Sequence, residues 1–299
     1  MTALADVTAP GLSLRTLVRA TRPKQWIKNL LVVAAPSAAG VLLHRHIAAD
    51  CLLALLSMTL TASGLYLLND VLDVDMDRAH PRKATRAVAS GALSRGAALG
   101  ASAVLVGAGL AVAFALSPRV LAVVGLYAAL TVLYDVRLKH VAWLELAVVA
   151  SGFVLRTLAG AASTHVDASE WLLLAVSSAA AVIVVGKRSS ELLTSSSATR
   201  PVLSAYSLGS LRALRLLASG LLIAAYAGWT WFRPDPLTTV LAAVSLVPVC
   251  VVVVRWEVST RKAGTGAPED VLLRDPWIAA GAGLWALAFA GTVVATVLR

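Results

Sequence analysis

Long apolar runs separated by short polar stretches dominate the pattern of this chain. Nine runs approach or reach the length at which an α-helix crosses the hydrocarbon of a bilayer. They lie at residues 29–43, 51–69, 97–116, 119–134, 141–162, 170–187, 211–230, 236–255 and 277–297. The pattern therefore predicts an all-α polytopic membrane protein, with about nine transmembrane helices packed as a bundle.

Composition and charge agree with this reading and orient the bundle. Hydrophobic residues make up 59% and charged residues 14% of the 299 residues, more apolar than a soluble core requires. Lys and Arg gather before the first run and after the even-numbered runs, which predicts an inner-membrane protein with a cytoplasmic amino terminus and an external carboxyl terminus. Basic cytoplasmic loops also account for the net charge of +10, so nucleic-acid binding is not expected.

The first 28 residues form a distinct segment ahead of the first apolar run. Apolar and basic side chains take opposite sides at helical spacing, with Leu14, Leu17 and Val18 facing away from Arg15, Arg19 and Arg22. This pattern predicts a helix lying in the cytoplasmic interface of the membrane. The whole chain, 1–299, is expected to form one transmembrane domain that begins with this segment.

An acidic cluster follows directly on the second apolar run. Its polar members are Asn69, Asp70, Asp73, Asp75 and Asp77. If the helix continues, its turn of about 100° per residue places all of them except Asp75 within one arc of about 100°. Carboxylate and amide oxygens are hard ligands, and Mg²⁺ typically takes one or two carboxylates together with water and substrate phosphates. The four residues on that arc are predicted metal ligands for a diphosphate substrate.

Basic residues return toward this cluster immediately afterwards. Pro81 is predicted to end the helix and to turn Arg82, Lys83 and Arg86 back toward the acids. Arg82 and Lys83 are therefore candidate phosphate ligands beside the metal ligands. A solvated helix end is the alternative and would be preferred for a single Asp, but several acids on one face followed by a basic return favour a functional site.

A second polar group follows the fourth apolar run. It comprises Tyr134, Arg137 and Lys139, with Glu145 just inside the fifth run. For Arg137, a purely topological role is an equally good interpretation. Glu145, by contrast, is an acid beyond the interface and requires a partner such as a metal or a cation. Lys139 and Glu145 can face the same cavity.

Arg156 lies about three helical turns deeper than Glu145. An intramembrane Arg is a functional candidate by default, and its depth suits the anionic headgroup of a lipid. The alternative is a structural ion pair with Glu145, although the spacing disfavours direct contact.

Two further basic groups flank the predicted spans. Lys187, Arg188 and Glu191 share one helical face at the end of the sixth run, where an internal salt bridge is a nearly equal alternative. Lys24 and Lys28 lie one turn apart before the first run and can receive a phosphate or simply fix topology. Polar residues thus collect on the cytoplasmic side, which predicts a cytoplasm-facing cavity.

These motifs together resemble the UbiA superfamily of intramembrane prenyltransferases. The motif Asn69-Asp70-x-x-Asp73-x-x-x-Asp77 carries that resemblance. Further motifs are most similar to the branch of the superfamily that transfers phosphoribose to decaprenyl phosphate. They are Arg22-Pro23-Lys24-Gln25-Trp26-Ile27-Lys28-Asn29, His80-Pro81-Arg82-Lys83, Tyr134-x-x-Arg137-Leu138-Lys139, Gly152-Phe153-x-x-Arg156 and Lys187-Arg188-x-x-Glu191 with Arg200-Pro201.

The resemblance implies a reaction and roles for these residues. It implies transfer of 5-phosphoribose from phosphoribosyl pyrophosphate to a polyprenyl phosphate, with Mg²⁺ as cofactor and release of pyrophosphate, toward a cell-wall arabinan precursor. The implied catalytic residues are Asp70, Asp73, Asp77, Lys139 and Glu145, the last standing where the family usually carries Asp. By hypothesis the donor phosphates are held by Arg82, Lys83, Lys139, Lys187 and Arg188, and the lipid phosphate by Lys24, Lys28 and Arg156, with Tyr134 and Arg137 as further substrate contacts. The opposite assignment of the cations is equally compatible with the sequence.

Two other functions fit parts of the pattern. A prenyltransferase acting on an aromatic acceptor would use the same acids but would need fewer phosphate-binding cations. A cation-coupled transporter would also carry intramembrane charges, but the repeated halves and broken helices typical of transporters are not evident in the sequence. The sequence leaves the oligomeric state open, including a homo-oligomer.

Overall fold

The computed structural model describes residues 13–81, 83–194, 201–232, 236–259 and 275–297, and these contain helices and no β-strand. The α-helices are α1 (Leu14–Ala20), α2 (Ala34–Ala38), α3 (Arg45–Leu72), α4 (Val74–Ala79), α5 (Arg95–Leu116), α6 (Pro118–Val136), α7 (Leu144–Thr164), α8 (Glu170–Thr194), α9 (Leu208–Trp231), α10 (Pro236–Ser259) and α11 (Pro276–Val297). Within the described residues, the eight that remain after α1, α2 and α4 are long and apolar enough to cross a membrane. The predicted all-α polytopic membrane fold is confirmed.

The first apolar run departs from the prediction. A 3₁₀ helix covers Pro23–Val33 and the short helix α2 follows it, so 29–43 does not form a spanning α-helix. Pro36 lacks the N–H that a continuing helix requires, and Gly40 takes a positive φ of 75°, which ends the helical path. The described part of the chain therefore contains eight helices of spanning length, and the predicted ninth is a bent 3₁₀-to-α segment.

This 3₁₀ helix is held against α7 by direct backbone contact. A Cβ atom added at Gly160 would lie only 1.7 Å from the carbonyl oxygen of Val32, so the two backbones approach as closely as they do because position 160 has no side chain. Val32 is fully buried in a core shared with Met58 of α3 and Val124 of α6. The same segment brings Arg22, at its start, to Asp70 of α3 and Asn29, in its middle, to Arg156 of α7.

The acidic motif straddles a short break between α3 and α4. Asp73 stands at the junction with φ −94° and ψ 7°, and α4 resumes for one and a half turns before ending at Ala79. His80 is extended because the residue before a proline is restricted to that conformation. Pro81 therefore ends the helix as predicted, and the following chain turns back across the acids.

Small residues allow α3 and α5 to pack closely. A Cβ at Gly64 would lie 2.8 Å from the carbonyl oxygen of Ser102, and one at Gly109 would lie 2.8 Å from that of Ser57. The hydroxyls of Ser102 and Ser57 donate to the carbonyls of Gly64 and Gly109, at 2.7 Å each. Such close approach replaces hydrophobic driving force in a membrane bundle and fixes the helix that carries the acidic motif.

Candidate active site

Each buried acid of the first motif contacts a basic side chain. Arg22 forms an ion pair with Asp70. Nη1 of Arg86 lies 3.3 Å from Oδ1 of Asp70 and 2.6 Å from Oδ2 of Asp77. Nζ of Lys83 lies 3.9 Å from Asp77. The basic residues after Pro81 thus contact the acids as predicted, and Arg22 of the amino-terminal segment contacts them as well.

The carboxylates differ sharply in exposure, as the helical spacing predicts. The side chains of Asp70 and Asp77 are 3% and 1% exposed, whereas Asp75 is 78% exposed. Asp75 points away and pairs with Arg95 at 3.0 Å. The motif therefore presents its acids to one face despite the break at Asp73.

Asp73 connects the first motif to the second. Nζ of Lys139 lies 2.5 Å from Oδ1 of Asp73. Nδ2 of Asn69 donates to Oδ2 of Asp73 at 3.1 Å and to Oδ1 of Asp135 at 2.9 Å. Asp135, at the end of α6, was not among the residues that the sequence analysis selected. Its place four residues before Lys139, one helical turn away, was the signal that could have identified it.

The donor set suits a hard divalent cation bound together with a substrate. Asp70 and Asp77 both contact one atom, Nη1 of Arg86, so their oxygens converge on a common region. Among the described residues no three His, Cys, Asp or Glu side chains form a group that could hold a metal by themselves. Mg²⁺ commonly takes one or two carboxylates and completes its octahedron with water and phosphate oxygens, so these acids fit a metal shared with a diphosphate.

Glu145 lies in a separate, sealed cluster. Its side chain has no exposed surface, and Oε2 accepts from Nη2 of Arg188 at 2.5 Å. Oε1 accepts from the hydroxyl of Tyr206 at 3.0 Å, and Oε2 also accepts from that of Tyr134 at 3.4 Å. Both carboxylate oxygens are thus occupied. Arg188 also pairs with Glu191, which is the internal salt bridge that the sequence analysis weighed.

Tyr206 is the unpredicted member of this cluster, and it lies after the 3₁₀ helix Pro201–Ala205. Its hydroxyl accepts from the backbone N–H of Trp143 at 3.0 Å. Burial raises the pKa of Tyr206, and the neighbouring Glu145 carboxylate raises it further, against the lowering effect of the Trp143 N–H. The phenol therefore stays protonated and donates to Glu145.

Arg156 is buried among neutral partners. Its guanidinium donates to Oδ1 of Asn29 at 2.8 Å, to the carbonyl of Gly152 at 2.6 Å and to the hydroxyl of Tyr127 at 2.9 Å. It also lies over the Tyr127 ring, 4.7 Å from its centroid. The alternative of an ion pair with Glu145 is wrong, since Glu145 pairs with Arg188. Within the described residues all hydrogen-bond partners of Arg156 are uncharged, so its charge is available to an anion.

Of the remaining predicted residues, Tyr134 belongs to the Glu145 cluster through its hydroxyl, and the others that the structure describes lie at exposed or partly buried positions. Lys24 and Lys187 are exposed, and Lys28 and Tyr134 are partly buried. Lys187 points away from the Glu145 cluster although its neighbour Arg188 belongs to it. Arg82 lies outside the described residues.

Arg137 belongs to a different surface. It is exposed and lies at one end of an apolar groove of about 760 Å³ between α3, α5 and α6. The groove is lined mainly by aliphatic side chains such as Leu68 of α3 and Val132 of α6. Arg137 and Lys139 are therefore close in sequence but differ in surroundings. Arg137 lines the groove, and Lys139 contacts Asp73.

A helical membrane bundle with an acidic motif closed by basic residues defines a family of transferases. The chain belongs to the UbiA prenyltransferase family, whose model matches residues 31–269. It is 36% identical to the decaprenyl-phosphate phosphoribosyltransferase of Mycobacterium tuberculosis, over 97% of both chains.

Further comparisons agree on family and fold. The enzyme of the same name from Mycolicibacterium smegmatis is 32% identical, over 87% of this chain and 86% of the relative. In fold, the chain is similar to a UbiA homologue from Archaeoglobus fulgidus bound to GPP and Mg²⁺. The TM-score is 0.70 at 16% identity, and the match covers 95% of this chain and all of that one, 100%.

Proposed function

We propose that this protein transfers 5-phosphoribose from phosphoribosyl pyrophosphate to a polyprenyl phosphate such as decaprenyl phosphate, with release of pyrophosphate. The observation that carries the proposal is the interleaving of acids and cations at one mouth of the bundle. Asp70, Asp73 and Asp77 each contact a Lys or Arg, so metal ligands and phosphate ligands lie side by side. Two phosphorylated substrates require this combination, and the similarity to phosphoribosyltransferases over nearly the whole chain supports it.

The first motif would hold the diphosphate of the donor. Asn69, Asp70, Asp73 and Asp77 would bind Mg²⁺, which supplies charge stabilisation for the departing pyrophosphate when bound. Arg22, Arg86, Lys83 and Lys139, which contact the acids in the structure, would then turn to the phosphate oxygens. Charge-assisted hydrogen bonds from Arg and Lys are the strongest that a phosphate can accept.

Arg156 would receive the phosphate of the lipid acceptor, aided by Lys24 and Lys28 nearer the surface. A buried guanidinium surrounded by neutral acceptors retains its full charge for a ligand, and an anion is the partner that compensates it best. The two reacting anions repel each other, by about 4 kcal/mol for one charge pair at 4 Å with an effective dielectric of 20. The cations on both sides of the site would offset this repulsion.

The reaction requires no general base from the protein. A phosphate oxygen of the lipid attacks C1 of the ribose, the bond from C1 to the diphosphate oxygen breaks, and both electrons of that bond leave with pyrophosphate. The lipid phosphate is already ionised at neutral pH, so no proton must be removed. The residues of the chain therefore act by positioning and by charge.

The orientation in the membrane follows from the distribution of basic residues. The protein is an integral membrane protein. We place its amino terminus and the site on the cytoplasmic side of the inner membrane, from which the water-soluble phosphoribosyl pyrophosphate would enter. We treat 1–299 as one domain. A homo-oligomer is compatible with this arrangement and is not required by it.

A reconstituted assay tests the proposal. Purified protein in detergent receives Mg²⁺, phosphoribosyl pyrophosphate and decaprenyl phosphate, and pyrophosphate release is followed together with the mass of the lipid product. The expected product gains one phosphoribosyl group. Pyrophosphate release that instead requires a prenyl diphosphate and an aromatic acceptor would reject the proposal in favour of aromatic prenylation.

A further inference from the structure

Asp135 has one carboxylate oxygen that no described residue satisfies. The residue is 6% exposed and ends the helix that leads into the second motif. Oδ1 accepts from Nδ2 of Asn69 at 2.9 Å. Oδ2 is fully buried without a hydrogen-bond partner. A buried, half-satisfied carboxylate is costly, so a donor is expected to complete it during the working cycle.

The surroundings of Asp135 place it at the donor end of the proposed site. Asp73, Lys139 and Arg22 all lie within its electrostatic reach. Asn69 donates through the same nitrogen to Asp135 and Asp73, which holds the two carboxylates next to each other. The side chains of Asp73 and Lys139 are 15% and 14% exposed, so the group extends from the interior toward the opening.

Glu145, another buried acid, serves as a contrast. Both oxygens of Glu145 are occupied by Arg188, Tyr206 and Tyr134, so a ligand that binds Glu145 must compete with a buried hydrogen bond or ion pair. Asp135 can accept a ligand without losing an existing bond. Of the two, Asp135 is the acid with unused capacity.

The nature of the missing donor separates two kinds of substrate. The ribose of phosphoribosyl pyrophosphate carries two free hydroxyl groups, one on C2 next to C1 and one on C3, and each can donate to a carboxylate oxygen. An isoprenyl chain carries none and would leave Oδ2 unpaired, and a site built to bind a hydroxyl strongly rejects an analogue that lacks it.

We infer that Asp135 accepts a hydrogen bond from a ribose hydroxyl and thereby selects a phosphoribosyl donor over a prenyl diphosphate. The inference rests on the proposed function and adds a specificity-determining residue to it. Asn69 fixes the carboxylate through Oδ1, and Oδ2 accepts the hydrogen bond from the ribose hydroxyl.

Ligand binding tests this inference without relying on turnover. Isothermal titration in detergent with Mg²⁺ compares phosphoribosyl pyrophosphate with inorganic pyrophosphate, on the wild type, Asp135→Asn and Asp75→Asn. Asp135→Asn keeps an acceptor oxygen for Asn69 but replaces the second oxygen, which is offered to the sugar, with an NH2 group that cannot accept a hydrogen bond. We expect it to weaken binding of phosphoribosyl pyrophosphate about tenfold or more while pyrophosphate, which has no ribose, binds within about twofold of the wild type. Asp75→Asn, an exposed acid of the same motif, should change neither affinity.

The remaining outcomes separate this inference from the proposal beneath it. Equal losses for both ligands would make Asp135 a diphosphate or metal ligand, and unchanged binding of both would make it purely structural; either overturns the inference. A wild type that binds pyrophosphate but not phosphoribosyl pyrophosphate would reject the proposed function itself. If Asp135→Asn does not fold, the wild type is titrated with an analogue lacking both ribose hydroxyls, and an affinity equal to that of the natural donor would overturn the inference.

Discussion

The cluster of Asp70 and Asp77 and the cluster of Glu145 use the same residue types with opposite access to solvent. In the first motif, Asp70 and Asp77 are buried, but their partners Arg22 and Arg86 are each 26% exposed, and Lys83 is 45% exposed. In the second, Glu145 and Arg188 are both buried, at 0% and 5%. The first cluster can exchange its cations for ligands, whereas the second is closed on itself.

This contrast indicates that access, more than residue type, separates function from structure here. The buried Glu145–Arg188 pair, in which both carboxylate oxygens accept hydrogen bonds, holds helices in place, and removing one partner leaves an uncompensated charge. Partly exposed cations on buried acids can move toward an incoming phosphate at little cost. The predicted catalytic role of Glu145 therefore changes, in our interpretation, to that of an anchor between α7, α8 and Tyr206.

The largest effect is expected at Asp73. Asp73→Asn should lower turnover about 100-fold or more, because it removes one of the proposed Mg²⁺ ligands beside the leaving pyrophosphate, while the protein remains folded. Steady-state pyrophosphate release measures the loss and a thermal melt verifies the fold. Asp75→Asn is the matched control and should stay within about threefold of wild type. Equal losses at both positions would contradict the one-face geometry.

Disrupting the sealed cluster should instead change stability. Glu145→Ala should lower the free energy of unfolding by about 3–5 kcal/mol, since it leaves Arg188 buried without its partner. Denaturant unfolding followed by tryptophan fluorescence provides the measurement. The double variant Glu145→Ala with Arg188→Met should be less destabilised than the sum of the two single variants. A fully stable Glu145→Ala protein that has lost turnover would restore the catalytic interpretation.

Arg156 provides a more selective test of the site. Arg156→Lys retains the charge but cannot reproduce the planar set of donors to Asn29, Tyr127 and Gly152. We expect the KM for the polyprenyl phosphate to rise about tenfold, the effect of losing about 1.4 kcal/mol of binding, with little change in the KM for the phosphoribosyl donor. Arg119→Lys, at an exposed position, should change neither. A rise confined to the donor KM would reverse the assignment of the two phosphates.

The smallest effect is expected at the exposed pair of the first motif. Arg95 lies 3.0 Å from Asp75, and the side chains are 51% and 78% exposed. Exposed pairs contribute little, so Arg95→Ala should change the free energy of unfolding by no more than about 0.5 kcal/mol and leave turnover intact. A loss comparable to that of Glu145→Ala would show that exposure is a poor guide in this bundle.

Periodicity within single elements was predictable from the sequence, and contacts between elements were not. The burial of Asp70 and Asp77 and the exposure of Asp75 follow from helical spacing, which the short break at Asp73 leaves largely intact. The pairing of Glu145 with Arg188 joins residues 43 apart in the chain, and nothing local specifies it.

Two other features also depended on tertiary contacts. Asp135 gained its significance only when Asn69 of another helix was placed against it. The apolar pattern could not predict the 3₁₀ helix Pro23–Val33, because hydrophobicity indicates burial in the membrane and does not indicate the type of helix. The family resemblance identified the fold and the motifs, but it could not show which acids still had unused oxygens.

The contact between Val32 and Gly160 fixes the position of the amino-terminal segment relative to α7. One turn of α7 separates Gly160 from Arg156, and the 3₁₀ helix that ends at Val33 also carries Asn29. A single methyl group at position 160 would push these two backbones apart and draw the Asn29 amide away from the guanidinium that it steadies. The direction of the Arg156 side chain therefore depends on the absence of a side chain at position 160.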